Sequence, residues 1–346
     1  MNNKKIRAAI IGCGNIARVH AGCLEKNRGV QLAAVCDVAG DRAKSLAGDH
    51  GANWYTSYED MLDQVAIDVV HICTPHYLHV PMTIDCLKRG KNVFLEKPPV
   101  ISKSQLDELE SAPHIERAGI CFQNRYNPGL IRVKTMLQSG ETGKILGARG
   151  IVTWFRDEEY YTQSGWRGRL ETEGGGVLIN QSIHTLDLLV YLLGRPDAVC
   201  AGMANHHLKE IIEVEDTMEA YIEFENGKAV FYATTAYCEN LPPLIEVSCE
   251  NMVIRLEEPQ ITVFHRDGRT ERITASADEA LGKKYWGSGH EACIRDYYSA
   301  VAEGRKLPIT LAEVKDSVRL MTAMYEAAGS GRRIELNSQS HGFALA

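Results

Sequence analysis

The sequence predicts an α/β protein in two parts, a doubly wound parallel sheet followed by a part with a large, mainly antiparallel sheet. The first ~120 residues alternate short apolar runs with helical patterns, which is typical of parallel strands joined by helices. A glycine-rich turn separates the first apolar run from the first helical pattern. From Val199 to His265, short runs of alternating apolar and polar residues follow one another, as in antiparallel strands.

Four strands and four helices are predicted in the first part. The strands are at 6–12, 30–37, 68–75 and 92–98, and the helices are at 15–27, 41–50, 57–64 and 78–89. Ser57 and Asp60 give a capping signal for the third helix, and Gly90 ends the fourth. Strands that alternate with helices imply right-handed crossovers, so residues 1–124 are expected to form a doubly wound sheet.

Residues 125–346 follow a different pattern and are assigned to a second domain. A helix is expected after Pro128, then a strand-like run at 144–157, and then a helix that follows Gly174–Gly176 and ends near Leu193. Strand patterns follow at 216–227, 228–238, 244–251, 253–258 and 260–268, and helices at 289–303 and 311–328. Asn226 and Gly227 predict a hairpin turn, and the clustered strands predict one broad sheet.

Composition excludes several classes of protein. The chain has 346 residues and a formal net charge of −7, which argues against a nucleic acid or an anionic membrane as partner, since both attract clustered Lys and Arg. No run approaches the ~20 apolar residues of a membrane span, and the apolar start of the chain is interpreted as a strand rather than a signal peptide. The ten cysteines include no Cys-x-x-Cys pair, which fits a reducing cytoplasm without a zinc site or disulfides.

A dinucleotide site is predicted where the first strand meets the first helix. Gly12, Gly14 and Ala17 fit the pattern G-x-G-x-x-A. Gly12 allows a tight turn, Gly14 lets the backbone approach a pyrophosphate, and Ala17 allows close helix packing. Asn15 and Ile16 open the helix, whose N-terminal amides and dipole favour phosphate. A turn without a ligand is the alternative interpretation.

Asp37 strengthens this prediction, because it comes 20 residues after Ala17 at the end of the second strand. A carboxylate there accepts from the ribose 2′-hydroxyl and repels a 2′-phosphate, which favours NAD over NADP. Arg42 is close enough in sequence to soften that preference. On the alternative interpretation, Asp37 caps the segment that follows.

Two loops at the carboxyl ends of later strands are also expected near the cofactor, because ligands bind at this edge of such sheets. The first contains Thr74, Pro75 and His76, with His79 on the following helix; for each histidine, a surface or capping role is the alternative. The second contains Glu96 and Lys97 before two prolines, which predict a fixed turn, in the cis form, that orients the lysine.

Lys97 is the candidate acid or base. Oxidation of an alcohol by hydride transfer needs a base for the hydroxyl proton, and an unperturbed lysine, at a pKa of ~10.4, is too basic for this role. A positive nicotinamide nearby and partial burial would lower that pKa toward the working pH. A surface lysine in a loop is the alternative interpretation.

Asn180 and His184 are four residues apart and are expected on one face of the helix after the glycines. Such a polar pair can bind a substrate hydroxyl and relay a proton; a helix cap and a core histidine are the alternative. The expected buried positions of this helix are Val177, Leu178, Ile183, Leu186, Leu188 and Leu189. The pattern offers too few ligands for zinc, so no metal is expected.

Together the motifs at Gly12–Ala17, Asp37, Cys73–Pro75, Glu96–Pro98 and Gly174–His184 resemble the glucose–fructose oxidoreductase, inositol dehydrogenase and rhizopine-catabolism (Gfo/Idh/MocA) family over essentially the whole chain. The resemblance implies an N-terminal Rossmann domain for NAD at 1–124. It also implies a C-terminal α+β domain at 125–346 with a large open-faced sheet. That sheet commonly packs against another subunit in the family, so a homodimer or homotetramer is expected.

The resemblance also implies roles for individual residues. Lys97 corresponds to the family lysine that contacts substrate and nicotinamide, and His184 to the histidine that donates or accepts a proton. Many members carry Asp where this chain has Asn180, and other members also show Asn. Since Asn cannot relay a proton, either Lys97 and His184 manage the proton or Asn180 only orients the substrate. Asn124 and Arg125 correspond to residues that line the nicotinamide and the substrate, and Trp166 with Arg167 to a pair that approaches the cofactor.

These inferences predict an NAD-dependent oxidoreductase that moves a hydride between nicotinamide and a secondary alcohol or ketone of a sugar, polyol or sugar derivative. Trp154, Tyr160 and Tyr161 are aromatic candidates for a wall against the sugar, with sheet packing as the alternative. Two other functions stay open. The chain could recycle bound NAD through a keto intermediate, or it could be a non-catalytic NAD-binding regulator.

Overall fold

A computed structural model describes residues 5–225, 227–275 and 289–336, which divide into two compact units. The described part of the first unit is 5–127 with 289–314, and that of the second is 128–275 with 315–336. The helix at 289–303 therefore packs within the first unit, whereas the division at residue 124 assigns it to the second domain. The functional division into a cofactor-binding domain at 1–124 and a substrate-binding domain at 125–346 stays a prediction. Asn226, half of the predicted hairpin turn, lies outside the described residues.

The first unit is built on a six-stranded parallel sheet with the order β3-β2-β1-β4-β5-β6. Its strands are β1 (Ile6–Ile11), β2 (Val30–Cys36), β3 (Asn53–Tyr55), β4 (Val69–Ile72), β5 (Asn92–Leu95) and β6 (Ala118–Ile120). Its helices are α1 (Asn15–Lys26), α2 (Gly40–His50), α3 (Tyr58–Gln64), α4 (His79–Lys88), α5 (Lys103–Glu110) and α9 (Gly289–Glu303). The predicted doubly wound sheet is confirmed.

The strand order reverses between β1 and β4, so the loops that follow these two strands flank the crevice where ligands bind in this fold. Residues of β1 and β4 are almost all buried, because helices cover both faces of a parallel sheet. Strands β3 and β6 were not predicted, since three residues are too few to show a period. Short 3₁₀ turns at His76–Leu78 and Gln123–Tyr126 follow β4 and β6.

The second unit contains a nine-stranded sheet with the order β14-β13-β12-β11-β7-β10-β9-β8-β15. Its strands are β7 (Ile145–Thr153), β8 (Pro196–Ala204), β9 (Thr217–Phe224), β10 (Gly227–Thr234), β11 (Leu244–Cys249), β12 (Met252–Glu257), β13 (Gln260–His265), β14 (Thr270–Thr274) and β15 (Ile334–Glu335). Among the strands that the structure describes in this sheet, only β7 and β10 pair in parallel. The predicted broad, mainly antiparallel sheet is confirmed.

Helices of the second unit are α6 (Pro128–Gln138), α7 (Glu158–Thr162) and α8 (Ile183–Leu193), and α10 (Leu311–Ser330) begins at the end of the first unit's segment. Helix α8 packs on one face of the sheet, where Gly150 of β7 leaves room for Thr185 and Leu189. The six apolar positions predicted for this region are all buried. The opposite face exposes Tyr221, Val230, Tyr232 and Phe264.

The helix predicted after the glycines at 174–176 is present in two parts. It starts as a π-helix at Val177–Ser182 and continues as α8 from Ile183. We attribute the π-helix to Glu215, which lies just before β9. Its carboxylate accepts from the amides of Gly176 and Leu178, and its backbone oxygen accepts from that of Val177 at 3.0 Å, so Glu215 fixes the start of the helix.

Candidate active site

The glycine turn after β1 has the geometry of a phosphate-binding loop. Gly12 adopts a φ of +89°, and a Cβ on it would lie 2.6 Å from the backbone oxygen of Cys73 at the end of β4, so only glycine fits. A Cβ on Gly14 would meet nothing within 4 Å, so the space in front of this residue is open. Helix α1 then begins at Asn15, and its first amides face that open space.

Asp37 follows β2 and binds two backbone amides. Its Oδ2 accepts from Cys13 in the glycine turn and its Oδ1 from Ala39, both at 2.8 Å. The carboxylate therefore caps the next segment, as the alternative interpretation had it, and also fixes the glycine turn. Each carboxylate oxygen has a further lone pair, so Asp37 can still accept from a ribose hydroxyl. Arg42 lies exposed in the first turn of α2.

The loop after β4 is joined to the loop after β5 by His79. This side chain is buried, with Nδ1 2.7 Å from the oxygen of Pro98 and Nε2 2.9 Å from that of Thr74. His79 therefore positions these two loops, and its contact with the cofactor stays a prediction. His76 is also buried, in the 3₁₀ turn, so neither histidine is a surface residue.

Lys97 is half-buried at the carboxyl end of β5, and the Lys97–Pro98 peptide is cis, as the prolines predicted. The preceding Glu96 is buried, and its Oε2 accepts from the Lys97 amide at 3.2 Å. Its Oε1 lies 2.9 Å from Nε2 of His20 on α1. Burial alone would raise the pKa of Glu96, but the hydrogen bond and charge of His20 outweigh it and lower the pKa. Glu96 is thus a buried carboxylate that anchors the Lys97 backbone.

A chain of buried polar groups continues behind Glu96. Nδ1 of His20 lies 2.9 Å from Nδ1 of His71 on β4, whose Nε2 lies 2.8 Å from the hydroxyl of Tyr298 on α9. Burial lowers the pKa of His71 well below its ordinary value. His20 was not predicted as a site residue, because its place as the sixth residue of an amphipathic helix gave no signal of a polar partner.

His20, Glu96 and Cys121 place possible ligand atoms within 4.8 Å of one another. Two of the three already bind each other by the hydrogen bond described above, which satisfies the buried carboxylate without an ion. Burial raises the pKa of the Cys121 thiol well above its ordinary value, which opposes the thiolate that a metal needs. The ten cysteines all carry unpaired thiols.

Two buried oxygens at this edge of the sheet have no hydrogen-bond partner among the described residues. They are Oγ1 of Thr74, after β4, and Oδ1 of Asn124, in the 3₁₀ turn after β6. A buried polar atom costs free energy unless it is paired, so these atoms fit hydroxyl or amide groups of a ligand. With the glycine turn and Asp37, the residues present fit a dinucleotide along the carboxyl ends of β1, β2, β4 and β6. Arg125, beside Asn124, donates to the backbone oxygen of Glu313 at 3.1 Å.

In the second unit, Asn180 lies in the π-helix and His184 is half-buried in the first turn of α8. Nδ2 of Asn180 donates to Oε1 of Glu173 and lies 3.5 Å from the hydroxyl of Tyr160. Glu173 directly precedes the three glycines and is fully buried. Glu173 was not predicted as a site residue, although a carboxylate next to a glycine run and ahead of a polar helix was a usable signal.

The three aromatic candidates have different surroundings. Trp154 is buried and its Nε1 donates to the oxygen of Leu241 at 2.9 Å, which fits the alternative of sheet packing, and its place in a sugar wall stays a prediction. Tyr161 is buried against Leu208, Ile212 and Val214, and its place in such a wall likewise stays a prediction. Tyr160 is half-buried, and the Arg167 guanidinium lies over its ring at 4.5 Å. Arg167 also stacks on Trp166, at 5.0 Å.

The parallel sheet, its glycine turn and the carboxylate after β2 define a dinucleotide-binding oxidoreductase, and the comparisons agree. The model of the family described as "Oxidoreductase family, NAD-binding Rossmann fold" (GFO_IDH_MocA) matches residues 6–123, and that of the GFO/IDH/MocA C-terminal domain matches residues 130–255. The chain belongs to the Gfo/Idh/MocA family and is an NAD-dependent dehydrogenase.

Similar proteins carry related names. D-glucoside 3-dehydrogenase of Escherichia coli is 27% identical over 97% of this chain and 99% of its own length. The NAD-dependent scyllo-inositol 2-dehydrogenase of Bacillus subtilis is 30% identical over 65% of this chain and 66% of its own length. The WlbA dehydrogenase of Chromobacterium violaceum, solved with NADH and UDP-GlcNAcA, is 30% identical over 98% of both chains with a TM-score of 0.82.

No helix within the described ranges combines the length and the apolar character that a membrane crossing requires.

Proposed function

We propose that the protein transfers a hydride between NAD and a secondary alcohol or ketone of a sugar, polyol or sugar derivative. The observation that carries this proposal is Lys97, held at the carboxyl end of β5 by the buried Glu96 carboxylate. The names of the relatives, a glucoside dehydrogenase and an inositol dehydrogenase, support a carbohydrate substrate, as does the UDP-GlcNAcA bound to the WlbA dehydrogenase.

NAD, when bound, supplies the acceptor for a hydride from the carbinol carbon. Asp37 holds the ribose and disfavours a 2′-phosphate, so NADP binds more weakly. Gly14, Asn15 and Ile16 hold the pyrophosphate through the start of α1. Further contacts to the cofactor come from Thr74, Pro75, His76, Asn124 and the Trp166–Arg167 pair.

Lys97 and His184 handle the hydroxyl proton, which leaves the oxygen as the carbon loses its hydride. Asn180 and Arg125 bind and orient the substrate. Since Asn180 cannot exchange a proton, it acts only through its hydrogen bonds.

The proposal also covers assembly and location. The open face of the nine-stranded sheet presents apolar and aromatic side chains around ion pairs of Glu246 with Arg149 and Arg255, all at 2.9 Å. We assign this face to contact with a second copy of the chain, in a dimer or tetramer. Ten unpaired cysteines fit a reducing compartment such as the cytoplasm.

Replacing Lys97 with Ala is the test of the proposed chemistry. Loss of a general acid or base costs on the order of 10²–10⁴ in kcat, while the glycine turn and Asp37 still hold the cofactor. The measurement is the rate of NADH formation across a panel of polyols, glycosides and nucleotide sugars, with NAD binding followed by fluorescence.

Lys103→Ala is the matched control, because Lys103 is an exposed lysine at the start of α5. The control should keep both rate and NAD affinity. Turnover by Lys97→Ala at the wild-type rate would remove Lys97 from the chemistry.

A further inference from the structure

The buried carboxylate of Glu173 accepts a hydrogen bond from Asn180, at a position where the family resemblance implies Asp in many members. Glu173 is fully buried, and its two oxygens are used differently. Oε2 accepts from the backbone amide of Gly168 at 2.5 Å, and Oε1 accepts from Nδ2 of Asn180. A carboxylate only accepts hydrogen bonds, so it selects the NH₂ end of the Asn180 amide.

Covalent geometry then places Oδ1 of Asn180 on the side away from Glu173. The second proton of Nδ2 lies toward the hydroxyl of Tyr160, at 3.5 Å, and that hydroxyl also lies 3.2 Å from Nε2 of Gln181. These contacts make the donor end of Asn180 part of a fixed network. The acceptor end is therefore fixed as well, in a π-helix, an element found frequently at functional sites.

We propose that Glu173 is a positioning residue for substrate binding, which turns the carbonyl oxygen of Asn180 to accept a hydrogen bond from a substrate hydroxyl. This inference rests on the proposed function, in which Asn180 binds the substrate. Asn180 touches the substrate and supplies the hydrogen-bond acceptor. The negative charge lies on Glu173, one hydrogen bond further from the substrate.

The surroundings of Glu173 make its charge depend on pH. Burial raises its pKa to about 7, against the hydrogen bonds from Gly168 and Asn180 and the charge of Arg167, while Glu215 adds to the rise. Among the described residues, Tyr161 and Tyr325 also interact with the charge of Glu173, and their pKa values lie above their ordinary range. A protonated Glu173 donates through its hydroxyl and permits the reversed Asn180 amide.

The coupling between the two residues can be measured without turnover. In the protein with NAD, pH-difference infrared spectroscopy should show a buried carboxyl group that titrates near pH 7 and is lost in Glu173→Gln. In Asn180→Ala the midpoint should rise, by about one unit or more, because a donor that stabilises the charged form is gone. An unchanged midpoint in Asn180→Ala would overturn the proposal.

Its role in binding is tested by a double-mutant cycle. The measured quantity is the Kd of the enzyme–NADH complex for scyllo-inositol, methyl glucosides and UDP-GlcNAcA, taking whichever the enzyme turns over. Glu173→Leu should weaken binding about 10- to 100-fold, as expected for a lost hydrogen bond to a charged group. The double variant with Asn180→Ala should bind no worse than Asn180→Ala alone. Losses that multiply would mean that Glu173 does not act through Asn180.

Glu173→Gln serves in the same cycle should Glu173→Leu not fold, with a smaller loss because an amide oxygen still accepts. Exposed Glu171→Gln is the control and should bind like the wild type. If no sugar of the panel is turned over, the proposed function fails, while the infrared midpoints still decide whether Glu173 holds Asn180.

Discussion

Among single residues, Asp37 shows most clearly how one side chain serves both the fold and the site. Its two oxygens accept from Cys13 and Ala39, so the carboxylate fixes the glycine turn before any ribose is bound. Its spacing from the glycines predicted the ribose contact. The bonds to the backbone could not be predicted, because they depend on how β1 and β2 lie side by side.

Asp37→Ala should therefore affect both affinity and selectivity. We expect the Kd for NAD to rise about 10- to 100-fold, since hydrogen bonds to a charged group are each worth about 1.5–3 kcal/mol. The Kd for NADP should rise less, because the repulsion of the 2′-phosphate is removed. Titration of both cofactors by fluorescence measures the ratio. A ratio equal to that of the wild type would refute the ribose role.

Glu173 gives a pH-dependent prediction for stability. Its pKa in the folded protein is about 7, above the ordinary value of 4.5. Between these values the folded state holds a proton that the unfolded chain has lost, so the free energy of unfolding falls as pH rises through this window. Glu173→Gln removes this loss of stability. At about 1.4 kcal/mol for each pKa unit, the shift from 4.5 to about 7 lowers the free energy of unfolding by up to about 3 kcal/mol.

The measurement is Tm at pH 5 and pH 8. The Tm of Glu173→Gln relative to the wild type should rise from pH 5 to pH 8, whereas the difference for exposed Glu171→Gln should stay constant. A constant difference for Glu173→Gln would mean that the carboxyl group does not titrate in this window.

Residue roles were harder to predict where burial decides them. Trp154 and Tyr161 had the composition of a sugar wall, but the sheet and a small apolar cluster enclose them. His79 was expected near the cofactor, and its contacts with Thr74 and Pro98, which join two loops, could not be predicted. In each case the residue type indicated which contacts the side chain can make. Which neighbours it contacts depends on packing between residues far apart in the sequence, which a linear pattern does not contain.

At the scale of elements, periodicity predicted the strands and helices that are long enough to repeat. Helices α1 and α9 and strands β2 and β12 lie within a residue or two of the predicted positions. The π-helix was not predicted, because its spacing comes from Glu215, far along the chain, which binds its first amides. The three glycines were the visible trace of this close approach.

Gly176→Ala tests that explanation. A Cβ at Gly176 would lie 1.9 Å from the backbone oxygen of Glu215, which cannot move without disturbing β9. We expect a loss of about 2 kcal/mol or more in the free energy of unfolding, measured in urea. Gly48→Ala is the matched control, because Gly48 lies in helix α2 with nothing within 4 Å of its Cβ. It should stabilise the protein by about 0.5–1 kcal/mol, and a Gly176→Ala as stable as the wild type would contradict the close packing.

At the scale of the whole molecule, the fold class could be predicted because the two sheets leave different patterns in the sequence. Strands alternate with helices in the first unit, whereas runs of alternating apolar and polar residues follow one another in the second. The position of α9 was not predicted. This helix follows the second unit's strands in sequence, yet it packs beside α1 in the first unit. Nothing in its pattern says which apolar surface it covers. The open face of the large sheet also belongs to the scale of the whole molecule, because several strands together supply its exposed side chains.

Val230→Lys should split the proposed assembly. Val230 is 50% exposed and lies opposite Tyr221 on that face, so a lysine there would bury a charge between subunits. Light scattering after gel filtration should show a lower mass than for the wild type. Ile131→Lys, at 51% exposure on α6, should leave the mass unchanged. A monomeric wild type, or an unchanged mass for Val230→Lys, would rule out this interface.

The most direct test of the proposed activity is to compare product and reduced cofactor during turnover. The protein is mixed with NAD, and separately with NADP, across polyols, free sugars, glycosides and nucleotide sugars, while NADH absorbance and sugar consumption are followed. We predict that one group of sugars is oxidised with one NADH formed for each product, faster with NAD than with NADP. Sugar conversion without free NADH, or tight NAD binding with no sugar consumed, would contradict the proposal and indicate a recycled cofactor or a non-catalytic regulator.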